Sequence, residues 1–323
     1  MEQDASRIRP AGPEELIGLI ADVHAATSCY GIRDDLGRTM DTLKVIESPG
    51  GGYLAVYHIG TGHGGFAVHL ATSSDLMSWT HRALLDEPAS QPTIASTPEG
   101  GFLVVVEAGG GGRPAWLRFK YYPSLRRLLA ADAARVFDAP HVVAPAGRLA
   151  EGTPNVYQVT FEPDVDHSTI IAGFHYLRPG RLVRQGDVDR QARGTLAGFR
   201  HWTAGREPHL DAAVQAWAVT GNIGGRDEMH WRARPYTLIE GQFRKRDWRS
   251  WRIYLYDPAS GAADPVPVRT HRGSVSFANP KATMLTAPSG APALLITLYL
   301  FDAGAAPGEA GPLLYYRELA EDH

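Results

Sequence analysis

Asp41-Thr42-Leu43-Lys44-Val45-Ile46-Glu47-Ser48-Pro49-Gly50-Gly51-Gly52-Tyr53-Leu54-Ala55-Val56-Tyr57-His58 decides the fold. A short strand opens the stretch, Ser-Pro-Gly-Gly-Gly turns it, and a strongly apolar strand returns and ends in histidine. The same unit recurs four times. Gln91-Pro92-Thr93-Ile94 turns at Pro98-Glu99-Gly100-Gly101 and returns as Phe102 to Glu107. Thr153-Pro154-Asn155-Val156-Tyr157 returns as Ser168 to Tyr176. Arg226-Asp227-Glu228-Met229 turns at Arg232-Ala233-Arg234-Pro235 and returns as Tyr236 to Glu240. Asn279-Pro280-Lys281-Ala282-Thr283-Met284 turns at Pro288-Ser289-Gly290 and returns as Ala293 to Leu300. A second element follows two of the hairpins. Thr72-Ser73-Ser74-Asp75-Leu76-Met77-Ser78-Trp79 and Gly194-Thr195-Leu196-Ala197-Gly198-Phe199-Arg200-His201-Trp202 both place Leu ahead of Trp across a polar stretch.

Units beginning near 41, 91, 153, 227 and 279, about 50 to 70 residues each, suit four-stranded blades with loops. The expected fold is all-β: a five-bladed β-propeller formed by residues 1–323 as a single domain, with a short N-terminal helical segment. A β-sandwich with coincidental turns is the competing architecture. Pro13-Glu14-Glu15, then Leu16, Ile17, Leu19, Ile20 and Val23, read as helix. The fifth unit has no evident outer strand after Leu313-Leu314-Tyr315-Tyr316-Arg317, and residues 1–36 are the candidates to close the ring.

The 323 residues suffice for a sizeable core. A formal charge of -3, with arginines scattered rather than blocked, argues against a nucleic-acid partner. One cysteine, Cys29, precludes an internal disulfide. No apolar run has the length of a membrane span, and Met1-Glu2-Gln3-Asp4 does not open a signal peptide, so a cytoplasmic location is expected.

Several short motifs resemble the five-bladed glycoside hydrolases of family 43 and their relatives. Asp41 is similar to the catalytic Asp that opens the family's first inner strand, and Thr72 to Trp79 is similar to the outer part of that blade. Glu151-Gly152-Thr153-Pro154 resembles a Glu-Gly-Pro segment carrying the general acid, with one residue inserted. His271-Arg272-Gly273-Ser274 is similar to a fifth-blade segment with an axial His. The chain departs from that pattern at Gln91-Pro92-Thr93, where the family has a carboxylate after Pro, and at Asp41-Thr42, where it has Asp-Pro. The resemblance implies a propeller and a carbohydrate-active site.

Hairpin geometry selects candidates independently. The start of an inner strand and the end of its antiparallel partner lie at the same end of the channel. The starts are Asp41, Gln91, Glu151, Asp227 and Asn279, and the ends are His58, Glu107, His175 and Glu240. Glycoside hydrolysis needs two carboxyl groups flanking the bond, one protonated and one ionised. Asp41 and Glu151, with Asp227, are the expected catalytic set. Gln91, Glu107, Glu240, His58, His175, His271, Arg226 and Trp231 are the expected substrate contacts. Trp231 and Tyr236 offer a stacking platform, and Gly62-His63-Gly64-Gly65 is placed to cover a ligand. Gly109-Gly110-Gly111-Gly112 reads as a connector. No cofactor is expected; His58, His63, His175 and His271 with Glu107 are the set that would suit a metal. The ligand is a small molecule or oligosaccharide, with neither nucleic acid nor membrane as partner. A glycoside hydrolase, a lyase, cyclase or isomerase using His, Glu and Arg, and a non-catalytic sugar-binding propeller all fit this arrangement.

Overall fold

The computed structural model describes residues 13–62, 64–109, 114–144, 150–162, 164–179 and 186–320. His63 and Gly110 to Gly112 lie outside the described residues. The chain forms a five-bladed β-propeller of four-stranded antiparallel sheets. After the helix α1 (Pro13–Ala21) comes β1 (Thr27–Tyr30). Blade one is β2 (Asp41–Glu47), β3 (Tyr53–Gly60), β4 (Phe66–Ser73) and β5 (Thr80–Asp86). Blade two is β6 (Ala89–Ser96), β7 (Phe102–Gly109), β8 (Ala115–Tyr122) and β9 (Arg135–Asp138). Blade three is β10 (Glu151–Thr160), β11 (Thr169–Pro179), β12 (Asp187–Ala197) and β13 (His201–Arg206). Blade four is β14 (Ile223–Trp231), β15 (Arg234–Gln242), β16 (Trp251–Asp257) and β17 (Ala262–Val266). Blade five is β18 (Ala278–Thr286), β19 (Pro292–Leu300) and β20 (Gly311–Glu318), and its outer strand is β1.

That last pairing closes the ring. Thr27 to Tyr30 run antiparallel to Leu313 to Tyr316, so the beginning of the described chain completes the blade that its end leaves one strand short. The helix ahead of it packs Leu16 and Ile20, and the turn that follows packs Val23, among Trp231, Leu238 and Tyr315 of blades four and five.

The apolar return strands explain the rest of the packing. Each is buried on both faces because a blade is sandwiched between its neighbours, so each reads as an unbroken hydrophobic run rather than an alternating one. Leu54 and Val56 meet Val104 and Val106 between blades one and two. Leu103 and Val105 meet Ala172 and Phe174 between blades two and three. Ala55 and Tyr57 meet Leu295 between blades one and five.

The five inner strands stand around the axis, and each carries a register irregularity near its start. The breaks fall between Asp41 and Lys44, Ser90 and Thr93, Gly152 and Asn155, Ile223 and Arg226, and Ala278 and Lys281. Four of the extra residues are left-handed: Thr42, Gln91, Thr153 and Asn279, with φ of 49 to 53°. These are β-bulges, which kink a strand and re-aim its side chains.

Candidate active site

The bulged ends of the inner strands surround one cavity of about 420 Å³ at the mouth of the channel. Its polar lining comes from the positions singled out by hairpin geometry. Asp41, His58, Gln91, Glu107, His175, Glu240 and Asn279 all face it. The positions are comparable because the pairs Asp41–His58, Ser90–Glu107, Gly152–His175 and Ala278–Tyr299 stand at the same step of the ladder.

Several of these groups also hold the ring together. The Gln91 N–H of blade two donates to His58 Nδ1 of blade one, at 3.0 Å. The Thr153 N–H of blade three donates to Glu107 Oε2 of blade two, at 2.9 Å. The Asn279 N–H of blade five donates to Glu240 Oε2 of blade four. In each case the residue ending a return strand captures the bulge amide of the next blade. A bulge leaves an amide out of the ladder, and a buried amide requires a partner.

The groups differ in what remains free for a ligand. Asp41 Oδ1 is buried with no hydrogen-bond partner, and burial raises its carboxyl to about 6 against the pull of Arg33. Burial also raises Glu107, opposed by His175 and the Thr153 amide. Glu107 accepts its one bond on Oε2, leaving Oε1 unbonded. Burial pushes Glu240 up to about 7. Both Glu240 oxygens are engaged, Oε1 by the Gly225 N–H and Oε2 by that of Asn279. His58 is held neutral, because burial lowers its pKa to about 3. Its Nδ1 accepts from Gln91, so its proton sits on Nε2. His175 Nδ1 is buried and unpartnered, while its Nε2 stands 3.8 Å from Asp189 Oδ1.

Five expected site residues lie elsewhere. Glu151 precedes by one residue the Gly152 that pairs with His175, and a one-residue offset turns a side chain to the other face. Its carboxylate accepts the N–H groups of Val142, Val143 and Ala144 at 2.8 to 3.1 Å and organises the connector before β10. Asp227 lies deeper because β14 begins at Ile223, earlier than its sequence pattern indicates. It binds Lys44 and accepts from Asn155 Nδ2 at 2.5 Å and from the Ala282 N–H at 2.9 Å, joining blades one, three, four and five at the axis. Arg226 is fully buried and donates to the carbonyls of Phe174 and Ala192, clamping blade four to blade three. Trp231 ends β14 at the opposite end of the strand, in the core with Tyr236. His271 packs on His24 with ring centroids 4.8 Å apart, beside the N-terminal segment. Asp41 therefore remains the one member of the expected catalytic set at the cavity. Among the described residues, no group of three or more His, Cys, Asp or Glu side chains is arranged to hold a metal ion.

Sequence reasoning passed over Asp189 and the aromatic wall. Trp248, Trp251, Tyr299 and Phe301 line one side of the cavity, and Phe66 stands by His58 with ring centroids 4.7 Å apart. Trp248 remains 54% exposed although it meets the edge of Phe301 at 4.9 Å, so a large indole face is presented at the mouth. The available signal was an aromatic pair, Trp248 and Trp251, in a polar loop, where burial alone gives no reason for two indoles.

A five-bladed propeller with a carboxylate-lined mouth defines the structural class. No family model and no curated protein matches the chain. Solved structures do. A thermostable family-43 glycoside hydrolase superposes with a TM-score of 0.55 at 10% identity, covering 88% of this chain and 90% of that one. An exo-1,5-α-L-arabinanase from a bovine ruminal metagenomic library gives 0.58 at 12% identity, with 91% and 95% covered. A family-43 endo-arabinanase from Bacillus licheniformis gives 0.56 at 12% identity, with 91% and 98% covered. The chain thus has the fold of these glycoside hydrolases over nearly its full length.

Proposed function

We propose that this protein is a glycoside hydrolase whose reacting pair is Asp41 and Glu107. The observation that carries this is the state of Asp41: a buried carboxylate oxygen with no partner, aimed into a cavity that holds a second carboxyl group. Ion pairing or hydrogen bonding would satisfy a purely structural aspartate, and a solvated one would not be buried. With its pKa at about 6, Asp41 is ionised at neutral pH and suited to act as base or nucleophile. Glu107 is pushed toward its protonated form and keeps Oε1 unbonded, which suits a general acid. His58, offering Nε2–H, is a hydrogen-bond donor to a sugar hydroxyl. The aromatic wall supplies a face for a sugar ring. The arabinanases among the structural neighbours agree with this reading, and arabinose-containing glycosides are the first substrates to try.

A second reading is favoured by His175. Its Nδ1 is unpartnered, its Nε2 stands 3.8 Å from Asp189 Oδ1, and its charge acts on Glu107, a setting that would serve proton transfer in a lyase, cyclase or isomerase. One kinetic series separates the two. Asp41→Asn and Glu107→Gln are assayed beside the unmutated protein on aryl and oligomeric arabinosides and xylosides. The hydrolase reading expects kcat to fall about a hundredfold to ten-thousandfold in each variant. Undiminished hydrolysis in both would end it.

A further inference from the structure

The segment bearing Trp248 and Trp251 also carries the strongest run of positive charge in the chain. Arg244-Lys245-Arg246-Asp247-Trp248-Arg249-Ser250-Trp251-Arg252 holds five cations and one acid. Its residues divide between two cavities. Trp248 and Trp251 face the cleft. Arg244, Asp247, Arg249, Ser250 and Arg252 face a second hollow of about 470 Å³, with Phe243 in its wall. The charges divide the same way. The cleft is lined by Asp41, Glu107, Asp189 and Glu240 and, among the described residues, by no lysine or arginine. The hollow sets three guanidinium groups against the single carboxylate of Asp247.

The cations of the hollow are not consumed by the protein. Among the described residues, no carboxylate lies within 4.0 Å of the guanidinium of Arg244, Arg246, Arg249 or Arg252. Asp247 instead uses Oδ1 to accept the Arg249 backbone N–H at 3.1 Å, capping the turn that carries Trp248. Arg252 is the most constrained of the group. Its Nη1 donates to the carbonyls of Arg249 and Trp251 at 3.0 and 2.8 Å, and its guanidinium stands 5.8 Å from the Phe243 ring centre. Neutral partners hold it in place without cancelling its charge, and burial lowers its pKa. A fixed guanidinium with open donors, joined by two more, matches the planar or tetrahedral oxygens of a carboxylate or sulfate. Lys245, in the same run, donates from Nζ at 2.7 Å to Asn222, which lines the cleft.

We propose that the hollow behind the Trp248 turn is a subsite for the carboxylate or sulfate substituent of a saccharide whose uncharged end enters the cleft. This rests on the cleft being a sugar site, and it names the ligand as an acidic glycan whose neutral end occupies the cleft. Four carboxyl groups, with no lysine or arginine among the described lining residues, offer an anionic sugar no ion-pair partner inside the cleft. Three guanidiniums without a carboxylate partner among the described residues, on the turn that also presents Trp248 to the cleft, favour an anion in the hollow.

The test reads affinity. Asp41→Asn protein, in which turnover is suppressed, is titrated calorimetrically with neutral arabino- and xylo-oligosaccharides and with the same chains bearing glucuronate or sulfate. The acidic members should bind at least tenfold more tightly at low salt, the margin should shrink as salt rises, and Arg244→Gln/Arg249→Gln should bring the ratio near one. Both of those arginines are exposed, so the double variant tests the hollow without disturbing the core. Equal affinity for neutral and acidic chains, a preference unchanged in the double variant, or no binding by any of them overturns the proposal. So does inorganic sulfate that binds without competing with the acidic chain. A preference for acidic chains with no hydrolysis by the unmutated protein would defeat the hydrolase reading and leave this one standing. Hydrolysis with no acidic preference would do the reverse.

Discussion

Asp41 and Asp227 look alike as residues in the chain. Each sits near the start of an inner strand, and each is a plausible catalytic acid by position. Their surroundings separate them. Asp227 accepts from Lys44, Asn155 and the Ala282 amide. Asp41 has Oδ1 buried with nothing bonded to it. Opposite consequences follow for stability. The folded state raises the Asp41 carboxyl from 3.8 to about 6, so its protonated form is the favoured one. The stability linked to that proton is fully present below about pH 4 and is lost as pH rises through 6. A rise of that size corresponds to roughly 3 kcal/mol. Asp41→Asn should therefore abolish most turnover yet melt no lower than the unmutated protein at pH 8, with a flatter dependence of melting temperature on pH between 4 and 8. A clear drop in melting temperature at pH 8 would mean that Asp41 has a structural partner after all. Asp227→Ala should do the reverse and destabilise by about 3 to 5 kcal/mol, because Lys44 would be left buried beside the axis without its counter-charge. Chemical denaturation of the two variants side by side measures this contrast directly.

At the scale of elements, the bulge decides which side chain reaches the cavity. Gln91-Pro92, Thr153-Pro154 and Asn279-Pro280 recur in the sequence and mark where blades two, three and five begin. What they do not mark is the extra residue. A bulge shifts the count by one, and with a period of two that reverses the face. Glu151 stands one residue ahead of the position that matches Asp41, which Gly152 occupies, and Asp227 lies deeper because blade four starts with Ile223-Gly224-Gly225, ahead of the pattern of alternating residues. The ends of the return strands carry no such ambiguity, since an apolar run stops plainly at His58, Glu107, His175 or Glu240. All four line the cavity. Close packing at a bulge gives a further prediction. A Cβ at Gly152 would stand 2.0 Å from Glu107 Oε2, so Gly152→Ala must displace that carboxylate. Its kcat should fall at least about tenfold, since general-acid help depends on position. The limb set by Asp41 near pH 6 should stay where it is. A pH–rate profile showing full activity would remove Glu107 from the mechanism.

For the whole molecule, closure depends on joining the two ends of the described chain. A four-residue strand, Thr27 to Tyr30, completes blade five, and α1 with the turn after it seals the blade with Leu16, Ile20 and Val23, all at 0% exposure. A chain begun at Gly31 would expose the edge of β20 and lose those three side chains, worth roughly 1.5 to 3 kcal/mol each. At about 2 °C per kcal/mol for a domain of this size, the melting temperature should fall by on the order of 10 °C or more. Gel filtration should show association through the open edge. A monomer with an unchanged melting temperature would show that blade five is stable with three strands.

The repeated hairpins, their turn residues and the buried return strands are local properties, and the sequence by itself was enough to determine a five-bladed ring with a polar mouth. The four strand-end groups and Asp41 were legible as residues that line that mouth. Tertiary structure decided the rest, because each remaining assignment depends on neighbours far along the chain. The partners of Asp227 come from three other blades, Arg226 is enclosed by carbonyls of blade three, and His271 meets the N-terminal segment. The aromatic wall joins Trp248 and Trp251 to Tyr299 and Phe301 across two blades. Whether a buried charge is spent on structure or left available for a ligand is a property of its surroundings, and here only the closed ring supplies them.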